Sequence, residues 1–375
     1  MPMRILITGA SGFIGSNLVR HLSTQGHEVV ACVRNISRYT RYSDAVTYVE
    51  CDFNHHVDSS DWLPLLDDID MVINAVGIIQ ETASQKFSIL HTDAPIALFK
   101  ACAELQIKKV IQVSALGADE SALSQYHLSK KKADNSLISS DLKWIIVLPS
   151  IVYGPGAKSM SFFKALASLV VTPLVEQGEQ KIQPIHINDF CKAVAQLLVI
   201  DGNNRKINFV GPEAVTLKQT FVLLKCWLGV KKARFLPLSY NGSMLLARVG
   251  KWLPGIKAVN PLSTETIQML KQGSTASVDP FVKLFSFTPI SFSDSLARSP
   301  AQQADKWHAK LLLLRPLLIF SIAFIWIYTG IVSAFLYPIE GSQLLLAPFG
   351  VEGKWSLLAI YGFAFIDLVL GVAIL

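Results

Sequence analysis

Tyr126 and Lys130 stand four residues apart in QYHLSKKKAD, residues 125–134. On a helix, positions i and i+4 share one face. A lysine ammonium beside a phenol favours the phenolate, and a cationic nicotinamide does the same. Such a phenol passes a proton to or from a carbonyl or alcohol while hydride moves. Ser114, upstream, is expected to hydrogen-bond the same oxygen. The stretch also reads as a solvated Lys-rich helix face, the usual meaning of a run such as Lys130, Lys131 and Lys132. The surrounding elements decide between these readings.

Those elements begin at the N-terminus, with MRILITGASGFIGSNLVRHLSTQGHEVVACVRN. Residues 4–8 predict a short strand. Gly9, Gly12 and Gly15 follow in the frame T-G-x-x-G-x-x-G. Ile14, Leu18 and Leu22 recur at helical spacing, Gly26 ends the helix, and HEVVACV predicts a second strand. A strand, a glycine turn, a helix and a strand within about thirty residues make a mononucleotide-binding unit. The glycines let the backbone turn tightly and approach a pyrophosphate. The helix N-terminus offers that anion free N–H groups and a positive dipole end. An acid after the second strand would accept from the ribose 2′-hydroxyl of NAD. Arg34 stands there instead, with Arg38 and Arg41 behind it and no carboxylate up to Tyr42. A guanidinium matches a 2′-phosphate bidentately, so NADP(H) is favoured over NAD(H), against the plainer reading of exposed arginines.

Further strands follow. VTYVECD (46–52) ends at Asp52, placed to accept from an adenine amino group, with Phe53 next to it. DMVINAVG (70–77) ends in Asn74, Ala75, Val76 and Gly77, small enough to pass under a cofactor. A helix is predicted from about Asp93 to Leu105. KKVIQVSALG (108–117) carries Ser114 at its end, and KWIIVLP (143–149) leads to Pro149 and Ile151. Alternating strands and helices imply a parallel sheet covered on both faces, with ligands at the carboxyl ends of the strands. The expected cofactor-binding set is Thr8, Gly9, Ser11, Gly12, Phe13, Ile14, Gly15, Arg34, Asp52, Phe53, Asn74, Ala75, Val76, Gly77, Tyr126, Lys130, Pro149 and Ile151. The expected catalytic set is Ser114, Tyr126 and Lys130.

The chain has 375 residues, 51% hydrophobic and 17% charged, with a net charge of +6. That length predicts more than one domain and an ample core. The basic balance holds no Lys/Arg run long enough for a nucleic-acid patch. Cys32, Cys51, Cys102, Cys191 and Cys226 are scattered and form no C-x-x-C, so neither a disulfide framework nor a metal site is expected. The run Ile5–Ile7 is too short for a signal peptide. After Pro149 the alternation loosens. SFFKALASLVV predicts a helix, and Asn188 or Asp189 is a plausible N-cap for the helix after IHIND. Residues 230–285, including MLLARVGKWLPGI, line an apolar pocket or pack a small lobe.

The apolar excess gathers near the C-terminus. Pro316–Ile339 carries no charge and is long enough for a hydrocarbon core of ~30 Å. WSLLAIYGFAFIDLVLGVAIL (355–375) follows with one acid, Asp367, which is costly in a span unless paired or wetted. Trp307, Tyr337 and Trp355 sit where aromatic belts sit. Lys306, Lys310 and Arg315 precede the first span, which keeps the N-terminal domain on the cytoplasmic side of the inner membrane. The expected architecture is α/β: a doubly wound parallel-sheet Rossmann domain over 1–155, with later strands returning from 182–215. A small α/β substrate lobe over 156–286, a linker over 287–310, and transmembrane α-helices at about 313–337 and 355–375 complete it.

TGASGFIG (8–15), Asp52, NAVG (74–77), Ser114 and YHLSK (126–130) together resemble the short-chain dehydrogenase/reductase superfamily, in its extended or atypical, epimerase/dehydratase-like branch. LPSIVYGPG (148–156) and IQPIHINDF (182–190) are similar to later motifs of that branch, so the resemblance covers about residues 3–215. Within it, NAVGIIQE and VSALGAD look most like the NADPH-binding accessory subunits of respiratory complex I, regarded as holding the nucleotide structurally. LRPLLIFSIAFIWIYTGIVSAFLYP and FIDLVLGV resemble the DoxX-like membrane domain. That family has four helices, so a truncation at Leu375 is expected. The resemblance implies a membrane-tethered NADP-dependent oxidoreductase acting on a small apolar, lipid-like or quinone-like substrate. Two alternatives stay open: a catalytically quiet NADPH-holding module with a membrane-protein partner, and a nucleotide-sugar epimerase or dehydratase. His91 stands where the family often places a proton-relay Asn, which favours the quiet module.

Overall fold

The computed structural model describes residues 2–39, 45–201, 204–250 and 263–375. Arg41 and the KWLPGI part of the 230–285 segment lie outside the described residues. The chain begins with β1 (Arg4–Thr8), α1 (Phe13–Thr24), β2 (Glu28–Val33), β3 (Val46–Glu50) and the short α2 (Ser59–Trp62). Then come β4 (Met71–Asn74), α3 (Ala94–Glu104), β5 (Lys109–Val113), α4 (Gln125–Ile138) and β6 (Trp144–Pro149). Ile5, Leu6, Ile7, Val72, Ile73, Val110 and Ile111 are wholly hidden. Both faces of these strands are covered by helices, so they read as unbroken apolar runs rather than alternating ones. Each such side chain contributes about 1.5–3 kcal/mol by leaving water.

The second half contains β7 (Val152–Tyr153), α5 (Lys158–Ser168), β8 (Val171–Val175), β9 (Lys181–Ile182), β10 (Ile185–His186) and α6 (Ile187–Val199). It continues through β11 (Arg205–Phe209), β12 (Val215–Thr216), α7 (Leu217–Leu228), β13 (Arg234–Leu238), α8 (Tyr240–Gly250), α9 (Thr264–Gln272), α10 (Asp279–Phe285) and α11 (Phe292–Arg298). The apolar tail is α12 (Gln303–Ile331), α13 (Ile339–Leu346) and α14 (Lys354–Ile374).

The main sheet is 7-stranded, in the order β11-β6-β5-β4-β1-β2-β3. All its pairs are parallel. From β1 the chain builds outward through β2 and β3, then crosses to β4 and builds the other way. The switch point between β1 and β4 is where open α/β sheets bind ligands. Expected helix and strand positions in this half recur here. One difference is α10, expected in the lobe. Its Phe281 and Phe285 pack edge-on against Phe209 of β11, so aromatic packing ties this helix to the Rossmann core.

The lobe has its own core, built from Phe162, Phe163, Leu174, Phe221 and Leu224. Lys225 crosses it, and its ammonium donates to the carbonyls of Ala167 (3.2 Å) and Leu169 (2.6 Å) at the end of α5. The stretch expected as a linker is structured. Phe292 and Ala309 are buried in the lobe core, because apolar positions of α11 and α12 find partners there. Gln303–Leu336 and Lys354–Ile374 are both long and apolar enough to cross a membrane. They pack closely: a Cβ on Gly330 would stand 2.8 Å from Leu368 Cγ, and one on Gly371 would stand 2.6 Å from Ile327 Cγ1. Asp367 is half-buried on α14 and makes no hydrogen bond or ion pair among the described residues.

Candidate active site

The loop after β1 approaches the loop after β4 closely. Gly9 has φ +66°, and a Cβ there would lie 2.8 Å from the Ala75 carbonyl oxygen. A Cβ on Gly15 would stand 2.2 Å from the Gly9 oxygen. These two positions therefore demand glycine. Gly12 caps α1 without a side chain, and the first turn carries no acid. The N–H groups of Phe13, Ile14 and Gly15 lack intrahelical acceptors by position. This cradle of bare backbone donors fits a dinucleotide pyrophosphate. Ser11 and Gly12 are exposed at its rim.

Beneath the cradle runs a buried polar ladder. Thr8 Oγ1 donates to Asn74 Oδ1, and Asn74 Nδ2 donates to Gln112 Oε1 (2.7 Å). The Val76 N–H also donates to Asn74 Oδ1 (3.3 Å). On the far side of the switch point, Ala10 N–H donates to the Cys32 carbonyl (3.2 Å), which ties the glycine loop to β2. Arg34 follows β2, exposed and without a partner among the described residues. Asp52 lies beside it, because Cys51 N–H donates to the Val33 carbonyl (2.8 Å). Asp52 Oδ1 accepts from Asn54, and Phe53 is buried. Phe13 and Ile151 pack against the lobe core, and Pro149 is buried at the end of β6.

Tyr126 and Lys130 lie on α4, whose N-cap Ser124 accepts from His127 N–H. Lys130 is 3% exposed. Its ammonium donates to the carbonyls of Val76 (2.8 Å) and Val113 (3.1 Å), at the ends of β4 and β5. A Cβ on Gly77 would stand 3.3 Å from Lys130 Nζ. Thr8, Gly9, Asn74, Ala75, Val76, Gly77 and Lys130 are thus gathered at the switch point. Burial lowers the Lys130 amine to about 8, with the Asp134 charge opposing it. Burial raises the Tyr126 phenol to about 12, helped by Asp134. The lysine was expected to pull the phenol down. In the chain alone desolvation and the Asp134 charge both raise it instead, and the ammonium is held by backbone carbonyls. The phenol oxygen makes no hydrogen bond to any described residue.

Ser114 points elsewhere. Its hydroxyl donates to Asp134 Oδ2, and Asp134 is wholly buried. Burial raises the Asp134 carboxyl to about 6, against the Ser114 hydrogen bond and the Lys130 charge. Asp134 continues the helical stripe of Tyr126 and Lys130 by one more turn, a spacing present in the sequence but unused there. His91 sits on a π-helical turn, Ser88–Asp93. Ile78 N–H donates to its Nε2 (3.0 Å), which puts the proton on Nδ1. Nδ1 then donates to Ser129 Oγ (2.9 Å), and Ser129 donates to the Tyr126 carbonyl (2.8 Å). Burial, with the Lys130 charge, lowers His91 to about 2, so the ring is neutral. Its ring stands edge-on to Tyr126 at 5.4 Å.

A family model described as NAD(P)H-binding matches residues 9–162. These residues form an NAD(P)H-binding domain of the epimerase-like short-chain dehydrogenase/reductase type. A model of the DoxX-like family matches residues 323–375. Among curated relatives of the NAD(P)H-binding domain, the mouse protein "NADH dehydrogenase [ubiquinone] 1 alpha subcomplex subunit 9, mitochondrial" is 26% identical over 239 residues, 62% of this chain and 62% of that protein. The ceramide reductase of Caulobacter vibrioides is 29% identical over 189 residues, 49% of this chain and 57% of that protein. The chain thus spans about three fifths of the length of these relatives. Two solved structures share the fold. The NADPH-dependent quinone oxidoreductase QOR2 from Escherichia coli, complexed with NADPH, has TM-score 0.63 at 19% identity and covers 78% of this chain and 99% of its own. A nucleoside-diphosphate-sugar epimerase from Staphylococcus aureus has TM-score 0.64 at 16% identity, with the same coverage.

Proposed function

We propose that this chain is a membrane-tethered oxidoreductase that uses NADP(H) on an apolar carbonyl, alcohol or quinone-like substrate. The observation that carries this reading is the position of Lys130: buried, cationic, and fixed by the Val76 and Val113 carbonyls beside the glycine cradle. A bound nicotinamide supplies or accepts the hydride. Tyr126, one turn away, holds the proton. A phenol near 12 is protonated at neutral pH, which suits it to donate to a carbonyl oxygen as negative charge develops there. Lys130 keeps positive charge under the same oxygen. Ser114 acts indirectly: its hydroxyl donates to Asp134 and favours that carboxylate, the countercharge to Lys130. Arg34, free at the end of β2, favours the 2′-phosphate of NADP(H).

The ceramide reductase and quinone oxidoreductase among the similar proteins fit an apolar substrate. The DoxX-like segment and the two apolar helices support a membrane location. Lys306, Lys310 and Arg315 ahead of the first helix favour a cytoplasmic site. A second reading has its own support. The His91 proton is locked onto Ser129, the Ser114 proton is given to Asp134, and a complex I subunit is among the relatives. These favour a chain that holds NADPH for structure or sensing. A nucleotide-sugar epimerase is the weaker third reading, supported by fold alone.

Full-length protein and its Tyr126→Phe variant separate the first two. We expect rapid release of bound NADPH, tighter retention of NADPH than NADH, and turnover that Tyr126→Phe abolishes with nucleotide binding intact. Turnover unchanged in Tyr126→Phe refutes the proton role. NADPH that copurifies and does not exchange replaces the enzyme reading with the holding one.

A further inference from the structure

We infer that one face of the lobe, built from Val170, Val171 and Leu236 with Lys231, Lys232 and Arg234, rests on an anionic lipid surface. The inference assumes the membrane reading above. It begins with α12, which belongs to the lobe and to the apolar tail at once. Lys164 Nζ of α5 meets Asp305 of α12 at 3.4 Å, and Ser168 Oγ meets the Ala309 carbonyl at 3.5 Å. Both contacts join residues 141 apart in sequence, so α5 and α12 run parallel and in step. α5 ends there, with Ser168 against Ala309, and Val170 follows two residues on, at the turn into β8. That level is where α12 begins its series of exposed apolar residues, Leu311, Leu314, Leu317 and Leu318.

Val170 is 72% exposed there, although it follows directly on a packed helix. Arg234 stands opposite Val171 in the β8–β13 register, and Leu236, 53% exposed, follows on the same strand. Lys231 and Lys232 are exposed in the turn just before. That turn lies beside α12: a Cβ on Gly229 would stand 3.8 Å from Lys306 Nζ, and Trp227 Nε1 donates to the Ser299 carbonyl (2.7 Å). Trp307 and Lys310 are exposed at the same level of α12. Apolar side chains, an exposed tryptophan and a ring of cations at the entry of an apolar helix make the chemistry of an anionic bilayer interface. A lobe docked there brings the catalytic domain to the surface in which an apolar substrate dissolves.

Depth-dependent quenching tests this on the full chain. Cys226 is exposed and the other four cysteines are buried, so Cys226→Ser gives the background. Val170→Cys, Leu318→Cys and Leu105→Cys each carry a bimane label. The protein is placed in nanodiscs of phosphatidylcholine with phosphatidylglycerol, doped with a lipid nitroxide. We expect strong quenching at 170 and 318 and little at 105. Lys231→Glu with Lys232→Glu should cut the quenching at 170 several-fold, since each basic residue near such a surface is worth about fivefold in lipid partition. Retained NADPH verifies that this variant folds. Quenching at 318 with none at 170 overturns docking while the membrane reading stands. Quenching at neither site overturns both.

Discussion

Replacing Lys130 by methionine should remove a pH dependence that the wild-type chain carries. In the folded chain the amine loses its proton near 8, against 10.5 for a free lysine. Between those values the unfolded chain binds more protons, so stability rises with pH through that window. At neutral pH and below, holding the buried ammonium charged costs roughly 3 kcal/mol. Two charge-assisted bonds to Val76 and Val113 hold it in place all the same. From about pH 7 to about pH 9 the wild type should gain about 1.4 kcal/mol from this group alone, which for a large domain is about 3–5 °C in Tm. Lys130→Met removes that gain. It also withdraws a countercharge from Asp134, whose carboxyl rises further. Stability of the variant therefore falls slightly as pH rises through that value, and the two curves diverge more. The buried thiols, pushed up by burial, lose their protons mainly above this range in either protein. Thermal unfolding of both full-length proteins in one detergent, across this range, makes the comparison. Parallel curves refute a buried charged lysine. A methionine variant that is more stable at pH 7 yet inactive is the expected result.

Two other substitutions probe the fold that presents this site. Gly15→Ala puts a methyl 2.2 Å from the Gly9 oxygen, so the glycine loop must shift. NADPH affinity measured by fluorescence should fall at least tenfold, about 1.4 kcal/mol, and unchanged affinity would contradict the cradle. Gly330→Leu drives side-chain atoms into Leu368 and the Ala364 carbonyl, where the two apolar helices touch. A cysteine pair bridging α12 and α14, cross-linked in membranes, should lose most of its yield; full yield means those helices do not pack through Gly330.

Local patterns made much of this molecule legible in the sequence. The glycine frame after β1 and the apolar runs of the sheet are set by neighbours within one turn or one strand, and their positions agree with the structure. Tyr126 and Lys130 were legible as a pair because helical spacing alone puts them on one face. What stayed hidden depends on contacts between distant segments. Ser114 turns to Asp134 only because α4 lies across the end of β5. The tautomer of His91 is set by Ile78 N–H, brought round by the loop after β4. The linker expectation rests on composition, and Ser, Pro and Ala say nothing of the two apolar positions, Phe292 and Ala309, that bury themselves in the lobe.

That last contact bears on how the molecule can be taken apart. On the proposed membrane reading, a helix that is at once the final piece of the lobe core and the first stretch of an anchor leaves little slack between the domain and the bilayer. Swapping the anchor, or cutting before it, would uncover the Ala309 site and the Lys164–Asp305 pair together. The two halves are therefore not beads on a string. On the same reading, a tilt of the helix in the lipid reaches the lobe through α12, and Pro316, inside that helix, is where it would bend.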